Sequence, residues 1–232
     1  MNPEASFNII QTFSMRVLQK LTCFFIFLMH NDLNTQNNWD LKTDKEGIKV
    51  WSRTDPNSKF NQLKLECKVE ASLSTLVALL QDIPAYPQWV YHNKSAKILK
   101  RVSDRETYFY EQIQSPFGTS NRDFAGHVII SQDAESKRVH VSVKSVPEYV
   151  PEDKNYVRVP LSDETWTIVP INRNSSMIEY QLNINPGGSV PAWLVNSFSE
   201  KGPYESFHNL RKQVNLDKYK KASLPFIVNA TN

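Results

Sequence analysis

The stretch NINPGGSVPAWLVNSF, Asn183 to Phe198, decides the fold. Here a strand pattern gives way to a helical one. The chain has only six glycines, and two of them stand side by side in this stretch. Pro186 cannot donate to a sheet ladder, so it ends the strand. Gly187 and Gly188 supply backbone angles that other residues rarely adopt, and they turn the chain out of the sheet. Ser189 is expected to cap a helix whose first turn accommodates Pro191. Apolar residues then recur at helical spacing: Val190, Trp193 and Leu194, later Phe207, Leu210 and Val214. Gly202-Pro203 is expected to kink this long helix in its middle. The glycine pair is no dinucleotide loop, because it lacks a third glycine and a βαβ context.

Upstream of that turn the chain is rich in strand signals. GIKVWSR and FNQLKLECKVE read as strands. SLSTLVALLQD then changes period, with Leu73, Leu76, Val77 and Leu80 on one helical face and Ser72 as its N-cap. Six strand-like runs follow: SAKILKRV, ETYFYEQIQ, RDFAGHVII, RVHVSVKSV, NYVRVPLSDETWTIVP and SMIEYQLNIN. Turn residues separate them, as in an antiparallel meander. Strands, a helical interlude, more strands and one long terminal helix make an α+β chain. A single sheet of that size must curl, and a curled sheet gripping a helix leaves a hollow. Hollows of about 300–1,000 Å³ suit small-molecule ligands.

Composition narrows the function. The 232 residues are 40% hydrophobic, enough for a sizeable core, and the net charge of +3 gives no electrostatic case for nucleic acid. Of two cysteines, Cys67 falls on the apolar face of a strand as an inert thiol and Cys23 lies in an N-terminal apolar run; no disulfide or zinc spacing exists. The five histidines are scattered, with none at i, i+4 from another, so no metal site is expected. No nucleophile elbow or phosphate loop is present, and no cofactor is expected. Arg16 and Lys20 precede LTCFFIFLM, which is too short to span a bilayer but fits an export signal starting at Met15. Three segments result: residues 1–36 carrying the signal, a binding domain over 37–217, and a basic, flexible tail over 218–232. The protein is expected to be monomeric and exported, periplasmic or secreted, with a cytoplasmic location as the alternative.

Face-sharing in strands selects the site candidates. Arg122 shares its face with Phe124, Val128 and Ile130, whereas Asp123 shares the other with Ala125, His127 and Ile129. Both faces are mainly apolar, so each charge needs a partner. A structural ion pair or loop anchor, with Arg158 or Glu111 as partner, is favoured over a ligand contact. Glu111, next to Tyr110, shares a face with Phe109 and Ile113 and can meet a polar head group in a cavity. Trp193, Leu194, Ser197 and Phe198 are expected to line the inner face of the terminal helix as a lid, with Gly187 and Gly188 as its hinge. Arg211, Lys212, Lys218, Lys220 and Lys221 complement the end of that helix, or draw it to an anionic surface.

The ordered pieces GIKVWSR, LLQDIPAYPQWV, SPFGTSNRDF, YVR, TWTIVP and NPGGSVPAWLVN resemble the START family of lipid-transfer domains, from about Trp39 to Leu216. The run SNRDF is similar to that of phosphatidylcholine-transfer members. The resemblance implies a helix-grip fold with one lipid in a hydrophobic tunnel, and a lid made by the C-terminal helix and a nearby loop. Sterol-binding members pair a buried acid with an arginine at the place held here by Val128. The resemblance therefore implies a phospholipid or fatty acid rather than a sterol, with transient membrane contact. Helix-grip relatives also include polyketide cyclases, so a cyclase or aromatase using Glu111, Tyr110 and His127 is the alternative.

Overall fold

A computed structural model of the protein describes residues 39–115, 118–198 and 201–231, the side chain of Phe198 excepted. The expected export signal, its start at Met15 and Cys23 lie outside the described residues. From Asp40 onward the chain is one compact unit. Its strands are β1 (Asp40–Lys45), β2 (Ile48–Arg53), β3 (Gln62–Val69), β4 (Asn93–Ser103), β5 (Glu106–Ile113), β6 (Arg122–Gln132), β7 (Val139–Ser145), β8 (Val157–Arg158), β9 (Leu161–Asn172) and β10 (Ser175–Asn185). Helix α1 (Leu73–Gln81) and a 3-10 turn (Ile83–Gln88) separate β3 from β4. After β10 come α2 (Ala192–Phe198), α3 (Lys201–Gln213) and the single-turn α4 (Asp217–Lys220).

The strands form one open sheet in the order β1-β2-β3-β10-β9-β7-β6-β5-β4. Every neighbouring pair in that order is antiparallel, and β8 adds a short parallel pairing to β6. The meander expected from the sequence runs from β4 to β10 and then closes back on β3. Alternation explains the register. Leu63, Leu65, Cys67 and Val69 of β3 are buried on the inner face, as are Val139, Val141 and Val143 of β7. Burial pushes the Cys67 thiol up to about 12, as an inert cysteine requires. The helix-grip, curled antiparallel architecture is the observed one.

Helix α1 starts where its cap signal stands: the Thr75 amide donates to Ser72 Oγ at 3.2 Å. Leu73, Leu76, Val77 and Leu80 are buried in the core beside Phe207, Leu210 and Val214 of α3 and its end. The terminal helix is described in two stretches, α2 and α3, with residues 199–200 outside the described residues and Gly202-Pro203 near the start of the second. Two expectations need correction. Helix α2 begins at Ala192, and the Pro191 carbonyl accepts from Leu194 and Val195, so Ser189 is not its cap. Finally, residues 218–231 are not a flexible tail. Tyr219 and Ile227 are buried, the Tyr219 hydroxyl donates to Asp82 at 2.8 Å, and Asn229 Oδ1 accepts from the Ser74 amide at 2.9 Å. The apolar residues among the lysines give this segment a surface to bury.

Candidate functional site

The inner face of the sheet and helix α3 enclose a hollow of about 240 Å³. β5 contributes Phe109, Glu111 and Ile113 to its wall; β9 contributes Glu164 and Trp166; β10 contributes Tyr180, Leu182 and Ile184. Phe207 and Ser206 of α3 roof it, and the 3-10 turn adds Tyr86 with Trp89 next to it. A second hollow of about 280 Å³ lies towards the glycine turn, lined by Leu63, Thr119, Arg122, Val159, Val190 and Leu194 among others. The two share Tyr91, Ile113, Leu182, Ile184, Gly202 and Pro203 as wall. Aromatic packing stiffens the first: Trp166 stacks on Phe207 with ring centroids 4.9 Å apart and meets Tyr180 in a tilted contact at 4.8 Å.

Two carboxyl groups face this first hollow, and among the described residues no Lys, Arg or His lines it. Glu111 is buried, with Oε2 accepting from Asn93 Nδ2 at 2.5 Å. Burial pushes its carboxyl up to about 8, helped by the charge of Glu164. Burial likewise pushes Glu164 up to about 7, against the hydrogen bonds it accepts from Ser162 Oγ and the Tyr180 hydroxyl, each 3.2 Å. Glu164 keeps some accessible area because it lines the hollow. Burial, then the same carboxylates, hold the phenols of Tyr86 and Tyr180 well above their usual range. The chemistry is therefore an apolar, aromatic chamber with an acidic floor.

The structure sorts the expected site residues onto two faces of the sheet. Glu111 is on the inner face, as expected. Asp123 is on the outer face, paired with Arg158 through Nε–Oδ1 and Nη2–Oδ2 contacts of 2.9 Å. Tyr110 donates to the same carboxylate at 3.0 Å, and its phenol is pushed up to about 12 by burial and that bond. Arg158 also donates to the carbonyls of Pro147, Val150 and Pro151. The structural ion pair favoured by the sequence is this one, and it removes Asp123, Arg158 and Tyr110 from the hollow. His127 leaves the candidate list for the same reason: it faces outward, 2.9 Å from Glu106 and stacked on Tyr108.

Arg122, on the inner face, borders the second hollow. Its guanidinium donates to Ser120 O (2.5 Å), Ser115 Oγ (3.1 Å), Pro186 O (3.3 Å) and Gly187 O (3.4 Å). No carboxylate pairs with it among the described residues, and burial lowers its pKa. Leu194 lines the second hollow, but Trp193 is 70% exposed and Ser197 is exposed, its hydroxyl turned to the Leu194 carbonyl. A helix of seven residues offers one narrow stripe to the sheet, and Trp193 and Ser197 fall off it. The Phe198 side chain lies outside the described residues. Gly187 and Gly188 have φ of 72° and 65°, the left-handed turn expected of them.

Glu164 is the cavity-lining acid that sequence reasoning missed. It sits in SDETW, which reads as polar, yet it alternates with Trp166 and Ile168 on the inner face. That shared face was the available signal.

A family model, START domain, matches residues 27–220 of the chain that folds this way. The chain belongs to the START domain family. Among relatives of this START domain, an uncharacterized protein of Pseudomonas aeruginosa is 29% identical over 174 residues, 75% of this chain and 85% of that one. The phosphatidylcholine transfer protein of Bos taurus is 28% identical over 172 residues, 71% of this chain and 78% of its own. The crystal structure of a STAR-related lipid transfer protein fragment from Xanthomonas axonopodis has a TM-score of 0.73 and 32% identity, covering 78% of this START domain chain and all of that fragment. Among the described residues of the START domain, no group of three His, Cys, Asp or Glu side chains could hold a metal ion. None of its described helices is long and apolar enough to cross a membrane.

Proposed function

We propose that the protein binds a lipid in the two adjoining hollows and carries it between membranes without altering it chemically. The observation that carries this reading is the roofed, aromatic-walled chamber of a START domain, whose tail-sized apolar space is continuous in its lining with a second hollow. A phospholipid is favoured over a sterol. Val128, at the place of the sterol-pairing arginine, is buried in the wall of the first hollow. The similarity to a phosphatidylcholine transfer protein supports the same choice. The cyclase alternative loses two of its three residues, since Tyr110 and His127 face away from the hollow. Trp193, exposed beside the second hollow, is the side chain suited to touching a membrane surface.

Native mass spectrometry of the purified protein tests the reading: co-purified phospholipid is expected. Thermal melts with a lipid panel give a second readout. A ligand specific for the folded state adds about 2.7 kcal/mol at a hundred-fold excess over its Kd. If no lipid class raises the midpoint, the proposal fails. Trp193→Ala should slow transfer between vesicles while leaving Kd in solution unchanged. Export belongs to the same proposal: protein from its native cell should begin near Asn37, and an intact N-terminus on cytoplasmic material would exclude it.

A further inference from the structure

We infer that the acidic floor between Glu111 and Glu164 receives a protonated primary amine at the polar end of the lipid. This rests on the lipid-binding reading above and narrows it to a class of ligand.

Charge makes the first argument. Two carboxyl groups line one hollow, and no basic side chain lines it with them. Elsewhere in this protein a buried carboxylate has its cation: Asp123 has Arg158. Without a counterion these two carboxyls hold their protons, and a ligand cation that reaches them takes the proton's place. An end group bearing a carboxylate or phosphate would instead add a third acid to the floor.

Hydrogen-bond capacity makes the second. Glu111 is about nine-tenths buried, its Oε2 is engaged by Asn93, and its Oε1 has no partner among the described residues. The hydroxyls around the floor give their hydrogens to protein acceptors: Tyr180 to Glu164, Tyr86 to the Leu80 carbonyl, Ser206 to the Gly202 carbonyl. The Trp89 indole nitrogen is buried, with no partner among the described residues. Once a cation displaces the carboxyl protons, what the floor presents is acceptor capacity, so its ligand must donate. A primary ammonium brings three N–H donors and a charge. A quaternary ammonium brings charge without donors, and an alcohol one donor without charge.

The walls make the third. Trp166, Tyr180, Phe207 and Phe109 surround the floor with aromatic rings. Ring faces attract a cation once it is desolvated.

The test is a matched series on the intact protein, by calorimetry at neutral pH below micelle formation: tetradecylamine, tetradecanol, tetradecyltrimethylammonium and myristic acid. The amine should bind about tenfold more tightly than the alcohol or the quaternary salt, with the acid weakest. In Glu111→Gln/Glu164→Gln the ratio of amine to alcohol affinity should fall to about one. An alcohol or quaternary salt that matches the amine in the wild-type protein overturns the inference and leaves lipid binding intact. Failure of all four to bind overturns the lipid-binding reading itself. The wild-type series decides these outcomes even if the double variant folds poorly. Vesicles carrying phosphatidylethanolamine or phosphatidylglycerol then separate two sources of the amine. Selective uptake of the former assigns a phospholipid head; uptake of neither, with tetradecylamine bound, assigns a simple long-chain amine.

Discussion

Strands β5 and β6 carry buried acids on both faces, and the two faces treat them in opposite ways. On the outer face, Asp123 is 1% exposed and held by Arg158, itself 6% exposed, in a two-point ion pair completed by Tyr110. On the inner face, Glu111 and Glu164 meet no cation and answer burial by holding their protons. Removing a charge from water is costly in both places. The outer face settles that cost inside the protein, with a partner that also donates to three backbone carbonyls. The inner face leaves it open, at the wall of a hollow. Paired charge reads as architecture, and unpaired charge beside a cavity reads as a place for something else.

Breaking the outer pair should have the largest effect. Asp123→Ala strands the Arg158 charge and should cost about 3–5 kcal/mol in urea unfolding. A loss no greater than that of a surface substitution would remove the contrast between the faces.

The inner pair should show itself in pH dependence. Folded, Glu111 keeps its proton up to about 8; its ordinary value is 4.5. Between those values the folded chain binds more protons than the unfolded one, so stability falls as pH rises through the window. Glu164 adds the same trend up to about 7. Unfolding free energies should drop by on the order of 1 kcal/mol per pH unit for each carboxyl, from about pH 5 to about 8 for Glu111 and to about 7 for Glu164. Glu111→Gln/Glu164→Gln should flatten that slope, whereas Tyr110→Phe should not.

Gly187→Ala probes the turn that meets the paired face from behind. A Cβ at Gly187 would lie 2.7 Å from the Arg158 carbonyl oxygen, at a φ of 72°. A loss of about 1–3 kcal/mol is expected in the same unfolding assay. Smallest is Tyr110→Phe, which removes one hydrogen bond from the outer pair and should cost about 1 kcal/mol.

Much of this was legible in the sequence because period two and period 3.6 were cleanly written. The strand β1 was missed because DLKTDK is polar but for Leu41, and it lies as a mostly exposed edge strand with no apolar face to announce it. β8 and β9 were read as one run. Their side chains continue the pattern across Val159 and Pro160, while the backbone leaves the β6 edge there to join β7. For the site, sequence parity separated Arg122 from Asp123 correctly. It could not say that the outer face would also be covered, because that cover comes from the Pro147–Tyr149 turn and the loop up to Pro151, distant in sequence. Trp193 was misplaced because helical spacing gives a face but not its direction.

Arg122 ties together two stretches far apart in the chain: Ser115 and Ser120 before β6, and the carbonyls of Pro186 and Gly187 after β10. Neither stretch can leave the mouth of the second hollow without surrendering bonds to the same guanidinium. A mouth fastened by one clasp does not open by halves. Passage of a molecule through it should follow a single relaxation rather than two independent ones, and shortening that one side chain should quicken entry and exit alike.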